Sequence, residues 1–129
     1  MSRRLPHLLC LLALAGCTSP RRRAEDVLRK VGPQALRSDA AVLYKNLFAS
    51  TAPDYSAVKN TEWSAAFRAF APKQVGAYRD GIAIALDLDG DTESGIYVIP
   101  AGMDVSPRAK GGNRFERIAD GIYWYSFTR

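Results

Sequence analysis

The first half of the chain places its hydrophobic residues with the period of an α-helix. One stripe begins just after Ser19, a residue type that caps helices, and Pro20, which favours the first helical turn. Gly32-Pro33 predicts the end of this helix or a kink in it. The residues of the stripe recur at intervals of three and four, as one helix face requires: Ala24, Val27, Leu28 and Val31.

Two further helices are expected from the same rule. A broad apolar stripe predicts a second helix over residues 34–50. Segment 51–60 contains Ala52-Pro53-Asp54 and predicts a loop. Thr61 is then expected to cap a short third helix, which Pro72 would end. The apolar face of that helix consists of Trp63, Ala66, Phe67 and Phe70.

After Pro72 the hydrophobic period changes from helical to two, the period of a β-strand. Asp-Gly pairs at residues 80–81 and 120–121 predict tight hairpin turns. In the clearest strand one face consists of Ile82, Ile84, Leu86 and Leu88, and the other of Ala83, Ala85 and Asp87. The predicted strands are 74–79, 81–87, 96–99, 115–118 and 122–127.

Helices first and strands after indicate an α+β fold. We expect N-terminal helices packed on one face of a C-terminal antiparallel β-meander of about four to five strands, within a single small domain over residues 21–129. Trp63 and Phe67 should lie against the face of Ile82, because both apolar stripes would otherwise remain unburied.

The N-terminal segment, residues 1–17, has the pattern of a targeting sequence and does not belong to the folded domain predicted above. Arg3 and Arg4 precede an apolar run over residues 8–15, which has the length of a signal peptide and is far short of the ~20 residues that span a bilayer. The run ends in Leu14-Ala15-Gly16-Cys17. This segment resembles the lipobox of bacterial lipoproteins. The alternative is an ordinary secretory signal with a chance cysteine.

The lipoprotein resemblance implies a signal peptide over residues 1–16 and a diacylglyceryl group on the Cys17 thiol. Residues 17–20 then form the lipidated cysteine and a short tether. The expected location is the cell envelope, held to the membrane through this lipid. In a host with two membranes, Thr18 replaces the Asp that often retains such proteins in the inner membrane, so the resemblance implies the outer membrane, facing the periplasm.

Composition restricts the chemistry of the remaining domain. Both Cys10 and His7, the only histidine, would leave with the signal, and Cys17 would carry lipid. Without His or a free thiol, the mature chain cannot build a Ser-His-Asp, Cys-His or ordinary zinc site. We therefore expect no enzyme. The formal charge of +5 falls to about +3 when Arg3 and Arg4 are removed, which is too mild an excess to predict a nucleic-acid partner.

An acidic turn over residues 87–93 is the sharpest local motif. Asp87, Asp89 and Asp91 occupy the first, third and fifth positions of a pattern similar to an EF-hand calcium loop. The pattern then fails, because Thr92 replaces the required Gly and Val98 replaces the final Glu. These aspartates are a candidate Ca²⁺ site, and the alternative is a solvated hairpin turn.

Aromatic residues mark a second candidate site. Tyr97, Tyr123 and Tyr125 should share the sheet face opposite the helices, beside the small Ala83 and Ala85. A shallow aromatic platform over small residues could stack a sugar or a peptide. The alternative is ordinary strand packing.

A third feature is the run Arg21-Arg22-Arg23 close to Cys17, which could contact anionic headgroups or form a solvated helical turn. Together these features predict a lipid-anchored envelope protein with a small non-catalytic interaction or structural domain. The alternative function is a weak calcium- or ligand-binding envelope module that uses the acidic turn. The expected partners are the membrane, through the lipid, and an envelope protein or glycan.

Overall fold

The computed structural model describes residues 19–48, 54–109 and 111–128. Residues 1–18, which include the predicted signal peptide and Cys17, lie outside the described residues. The described helices are α1 (Pro20–Val31), α2 (Pro33–Leu47), a 3-10 turn (Asn60–Glu62) and α3 (Ala65–Arg68). The strands are β1 (Tyr55–Val58), β2 (Gln74–Tyr78), β3 (Gly81–Asp89), β4 (Thr92–Val98), β5 (Arg114–Ala119) and β6 (Ile122–Thr128).

The strands form one antiparallel sheet in the order β1-β2-β3-β4-β6-β5. The α+β class and the order of helices before strands are therefore confirmed, but the sheet has six strands. The additional strand is β1, which lies in the segment predicted as a loop. It is a four-residue edge strand with only Val58 buried, so it carries no alternating apolar pattern.

Helix ends follow the capping groups closely. The Ser19 side chain accepts from the backbone N–H of Arg22 at 3.2 Å, and Pro20 opens α1 as predicted. The cap predicted at Thr61 is wrong, because residues 60–62 form the 3-10 turn and Ser64 caps α3 instead. The second helix begins at Pro33 and ends at Leu47, three residues before its predicted end.

One face of the sheet packs on the helices and forms the main core. Ile82, Ile84, Ile96 and Ile122 are fully buried there. The same core contains Phe67 and Phe70, with Trp63 half-buried against it. The apolar face of the third helix is therefore buried in the same core as the β3 face, as predicted.

A bulge interrupts the pairing of β3 with β4. The register shifts between Ala85 and Asp87, which leaves Leu86 without a direct partner. Gly95 lies opposite this bulge, and a methyl group added to it would stand 2.0 Å from the Ile84 carbonyl oxygen. The two backbones can approach this closely only because residue 95 has no side chain. Leu88, beyond the bulge, is 45% exposed, contrary to its predicted place on the core face.

Arg37 connects α2 to the end of the sheet. Its guanidinium donates to the Ile99 carbonyl at 2.9 Å and reaches the Pro100 carbonyl at 3.4 Å and that of Met103 at 3.5 Å. The side chain is only 12% exposed, although it also meets Asp120 at 3.4 Å. This arginine therefore positions the start of the loop that follows β4.

None of the helices in the described ranges has the length and apolar character needed to cross a membrane.

Candidate ligand cleft

The sheet face opposite the helices is aromatic, as predicted. Tyr97, Tyr123 and Tyr125 lie on it, and Ala83 packs in the same cluster. The expectation of an open platform requires a correction, because Tyr97 is 2% exposed and Tyr125 is fully buried. Their rings are covered by other aromatic residues of this face: Tyr78, Phe115 and Phe127.

The ring of Tyr97 lies at the centre of this aromatic cluster. Its centroid is 5.0 Å from that of Phe115 and 5.9 Å from that of Tyr125, both in edge-to-face geometry. Gly81 makes room for the ring, since a methyl group there would stand 2.3 Å from the ring carbon Cε1 of Tyr97. Edge-to-face contacts of this kind fix ring orientation as well as burying area. The cluster is therefore a second, smaller core.

Two carboxylates border the aromatic cluster, each bonded to a buried phenol. The Tyr97 hydroxyl donates to the Asp80 carboxylate. The Tyr125 hydroxyl donates to Glu93 Oε2 at 2.7 Å, and the Gln74 amide donates to Glu93 Oε1 at 2.6 Å. A phenol that donates to a carboxylate forms a charge-assisted bond, stronger than one between neutral groups. The fold thus holds both carboxylates in fixed positions.

Both phenols remain protonated over a wide pH range. Burial raises the pKa of the Tyr97 hydroxyl far above its usual range, and the hydrogen bond to Asp80 raises it further. Burial and the bond to Glu93 do the same to the pKa of Tyr125. Neither phenol can ionise near neutral pH, so their role in this site is to donate.

A cleft of about 380 Å³ opens beside these pairs. Asp80, Glu93 and the Tyr97 ring form part of its wall, and the half-buried rings of Tyr78, Phe115 and Phe127 form another part. The cleft is large enough for about one sugar ring with its substituents, and its mixture of aromatic and polar groups is typical of ligand sites.

The loop between β4 and β5 completes the cleft. Arg108 and Asn113 lie on its rim. A second depression of about 640 Å³ continues from the cleft, sharing Tyr78, Asp80 and Arg108, and extends along the loop past Val105. A ligand longer than one ring therefore has an adjoining surface to follow.

The structure does not bring the three predicted calcium ligands together. Asp87 and Asp89 belong to β3, and only Gly90 and Asp91 form the turn, so the hairpin is tighter than residues 87–93 suggested. Among residues 19–48, 54–109 and 111–128, no three His, Cys, Asp or Glu side chains are grouped so that they could hold a metal ion. Both Asp89, at the end of β3, and Asp91, in the turn, are exposed.

The arginine run is divided between two roles. Arg21 pairs with Glu25 at 3.0 Å and also with Glu116, which joins α1 to the edge strand β5. Arg22 and Arg23 are exposed. Only these two remain for the headgroup contact that the sequence suggested.

Sequence reasoning missed most of the cleft. The sequence places Asp80 in a predicted hairpin turn and Glu93 in the acidic turn. The sequence did contain a signal for Glu93. Once β4 is extended back to Thr92, Glu93 lies four residues before Tyr97 in the same strand, so both side chains face the same side of the sheet. Arg108 carried no such signal, since only the tertiary fold brings its loop to the sheet.

The chain was compared with protein-family models, curated proteins and solved structures. The chain matches no protein-family model, no curated protein and no solved structure.

Proposed function

We propose that this chain is a lipid-anchored cell-envelope protein whose domain binds an envelope glycan without catalysis. The single observation that supports the binding role is the aromatic cleft with its two fixed carboxylates. Aromatic rings offer flat apolar surface to sugar rings, and carboxylates and amides accept or donate to their hydroxyls. The mature chain offers neither His nor a free thiol, which favours binding over chemistry.

The anchor is supported by Leu14-Ala15-Gly16-Cys17. Lipid on Cys17 would hold the domain within a few residues of the bilayer, because α1 begins at Pro20. Two or three acyl chains hold a protein firmly, whereas one gives only marginal binding. In a host with two membranes the anchored protein would face the periplasm from the outer membrane.

Metabolic labelling with a fatty acid tests the anchor. The wild-type protein should carry the label and Cys17→Ser should not. Cys10→Ser is the matched control, since this cysteine lies within the signal, and it should be labelled like the wild type. Label retained by Cys17→Ser would refute lipidation at this site.

Titration with chitotetraose tests the cleft. This tetramer of N-acetylglucosamine shares its repeating sugar with the bacterial cell wall. The full-length protein, purified in nonionic detergent, should bind it, and Phe127→Ala should bind it about fivefold to tenfold more weakly through loss of one stacking surface.

Trp63→Ala is the control for this titration, because Trp63 is a half-buried aromatic residue that packs against the helix-side core and lines neither the cleft nor the adjoining depression. It should bind chitotetraose like the wild type. Equal weakening in both variants would indicate a loss of folding and refute the assignment to the cleft.

A further inference from the structure

The cleft combines the two kinds of group that attract an organic cation. The face of an aromatic ring carries partial negative charge, and three half-buried rings border the cleft. Asp80 and Glu93 lie in the same wall. Their two negative charges exceed the single positive charge of Arg108 on the rim. The lining therefore favours a positively charged group over a neutral one.

Both carboxylates retain the capacity to bind a ligand. A carboxylate offers about four acceptor positions. Asp80 accepts from Tyr97, and Glu93 accepts from Tyr125 and Gln74. The buried phenols already hold both carboxylates in fixed positions before a ligand binds. Binding therefore costs less conformational entropy than it would with mobile side chains.

We infer that the glycan bound in this cleft carries a protonated amine, as an unacetylated glucosamine residue does, and that its ammonium group lies against the aromatic rings beside Asp80 and Glu93. This inference rests on the proposed function and specifies its ligand. The mature chain has a net charge of about +3, which would repel a cation at long range. A preference for an amine must therefore come from the cleft itself.

The test compares two sugars that differ only in acetylation. Tetraglucosamine and chitotetraose are titrated separately into the full-length protein in nonionic detergent at one ionic strength. Tetraglucosamine should bind about fivefold more tightly, the ratio expected for one cation–π contact with a nearby carboxylate. Added salt should reduce this ratio and leave chitotetraose binding unchanged.

Two variants locate the effect. Glu93→Gln removes one of the two charges but keeps an oxygen that can accept from Tyr125, so it should fold. Its preference for tetraglucosamine should fall to about twofold, because the aromatic rings and Asp80 remain. Asp89→Asn is the matched control, because Asp89 is an exposed carboxylate of the same hairpin that does not line the cleft. It should keep the full preference for tetraglucosamine.

Each outcome decides between the two ideas. Equal affinity of the wild type for both sugars would overturn the amine inference and leave glycan binding standing. A preference that is undiminished in Glu93→Gln, or that falls as much in Asp89→Asn, would show general charge attraction and also overturn it. Binding of neither sugar would overturn both the inference and the proposed glycan-binding function.

Discussion

Truncation of Phe67 is the most direct test of the helix-side core. Phe67 is 1% exposed and lies in α3, whose start is fixed by Ser64. Removing a buried phenylalanine side chain costs about 3–5 kcal/mol through lost transfer energy and the cavity that remains. The side chain also borders a groove of about 420 Å³ beside α2, so neighbouring groups and water can fill part of the space. We therefore expect the lower end, about 3 kcal/mol.

A loss of this size is large for a domain without a disulfide, where total stability is about 5–15 kcal/mol. The midpoint of thermal unfolding should fall by about 10–20 °C. Urea unfolding of a soluble form that starts at Thr18, followed by tryptophan fluorescence, measures the free energy directly, because Trp63 and Trp124 both pack against this core.

The control for Phe67→Ala is Val42→Ala on the adjacent helix. Val42 is 62% exposed, and its loss should change the free energy of unfolding by less than about 0.5 kcal/mol. If Phe67→Ala cost no more than Val42→Ala, the packing of α3 on the sheet described above would be wrong.

Three further predictions concern the sheet and its supports. Gly95→Ala should lower the free energy of unfolding by about 3 kcal/mol in urea unfolding, since the added methyl group would force β3 and β4 apart at the bulge. Arg37→Ala should cost about 2–3 kcal/mol by the same measurement, because its guanidinium bonds to buried carbonyl groups, whereas Arg29→Ala, at a 73% exposed side chain, should cost almost nothing. The two buried phenols should contribute no pH dependence to the free energy of unfolding below about pH 9. Above about pH 10 this free energy should fall by up to about 1.4 kcal/mol per pH unit for each of Tyr97 and Tyr125, because unfolding restores their ordinary pKa and lets them ionise. Phe variants at these positions should lose that slope, and an unchanged slope would contradict the burial of the two phenols.

The predictable parts of the fold were those determined by neighbouring residues. Ser19 and Pro20 identified the start of α1 because a cap acts within one helical turn. The alternation in β3 identified its core face up to Leu86. Beyond that residue the bulge shifts the pairing of β3 with β4. No local sequence pattern predicts this bulge. Strand β1 was missed for a related reason, since an edge strand is defined by its pairing with β2 and not by its own composition.

In the candidate site, too, the sequence predicted local features and missed those that depend on contacts between distant residues. Which tyrosines share a face follows from the period of two, and that assignment is confirmed for Tyr97, Tyr123 and Tyr125. Their burial depends on rings from other strands and could not be read from the sequence. Asp80 and Arg108 reach the cleft from a turn and a loop, through contacts between residues far apart in the chain.

Strand β4 has a consequence for how this protein can change during evolution. Its residues alternate between the two cores, so that Ile96 and Val98 belong to the helix side and Glu93 and Tyr97 to the cleft side. Any movement of this backbone to suit a new ligand would also disturb the helix-side packing. Substitutions that change specificity without disturbing either core are therefore expected first at the loop positions Val105, Ser106, Arg108 and Asn113. These residues border the cleft or its adjoining depression and belong to neither core.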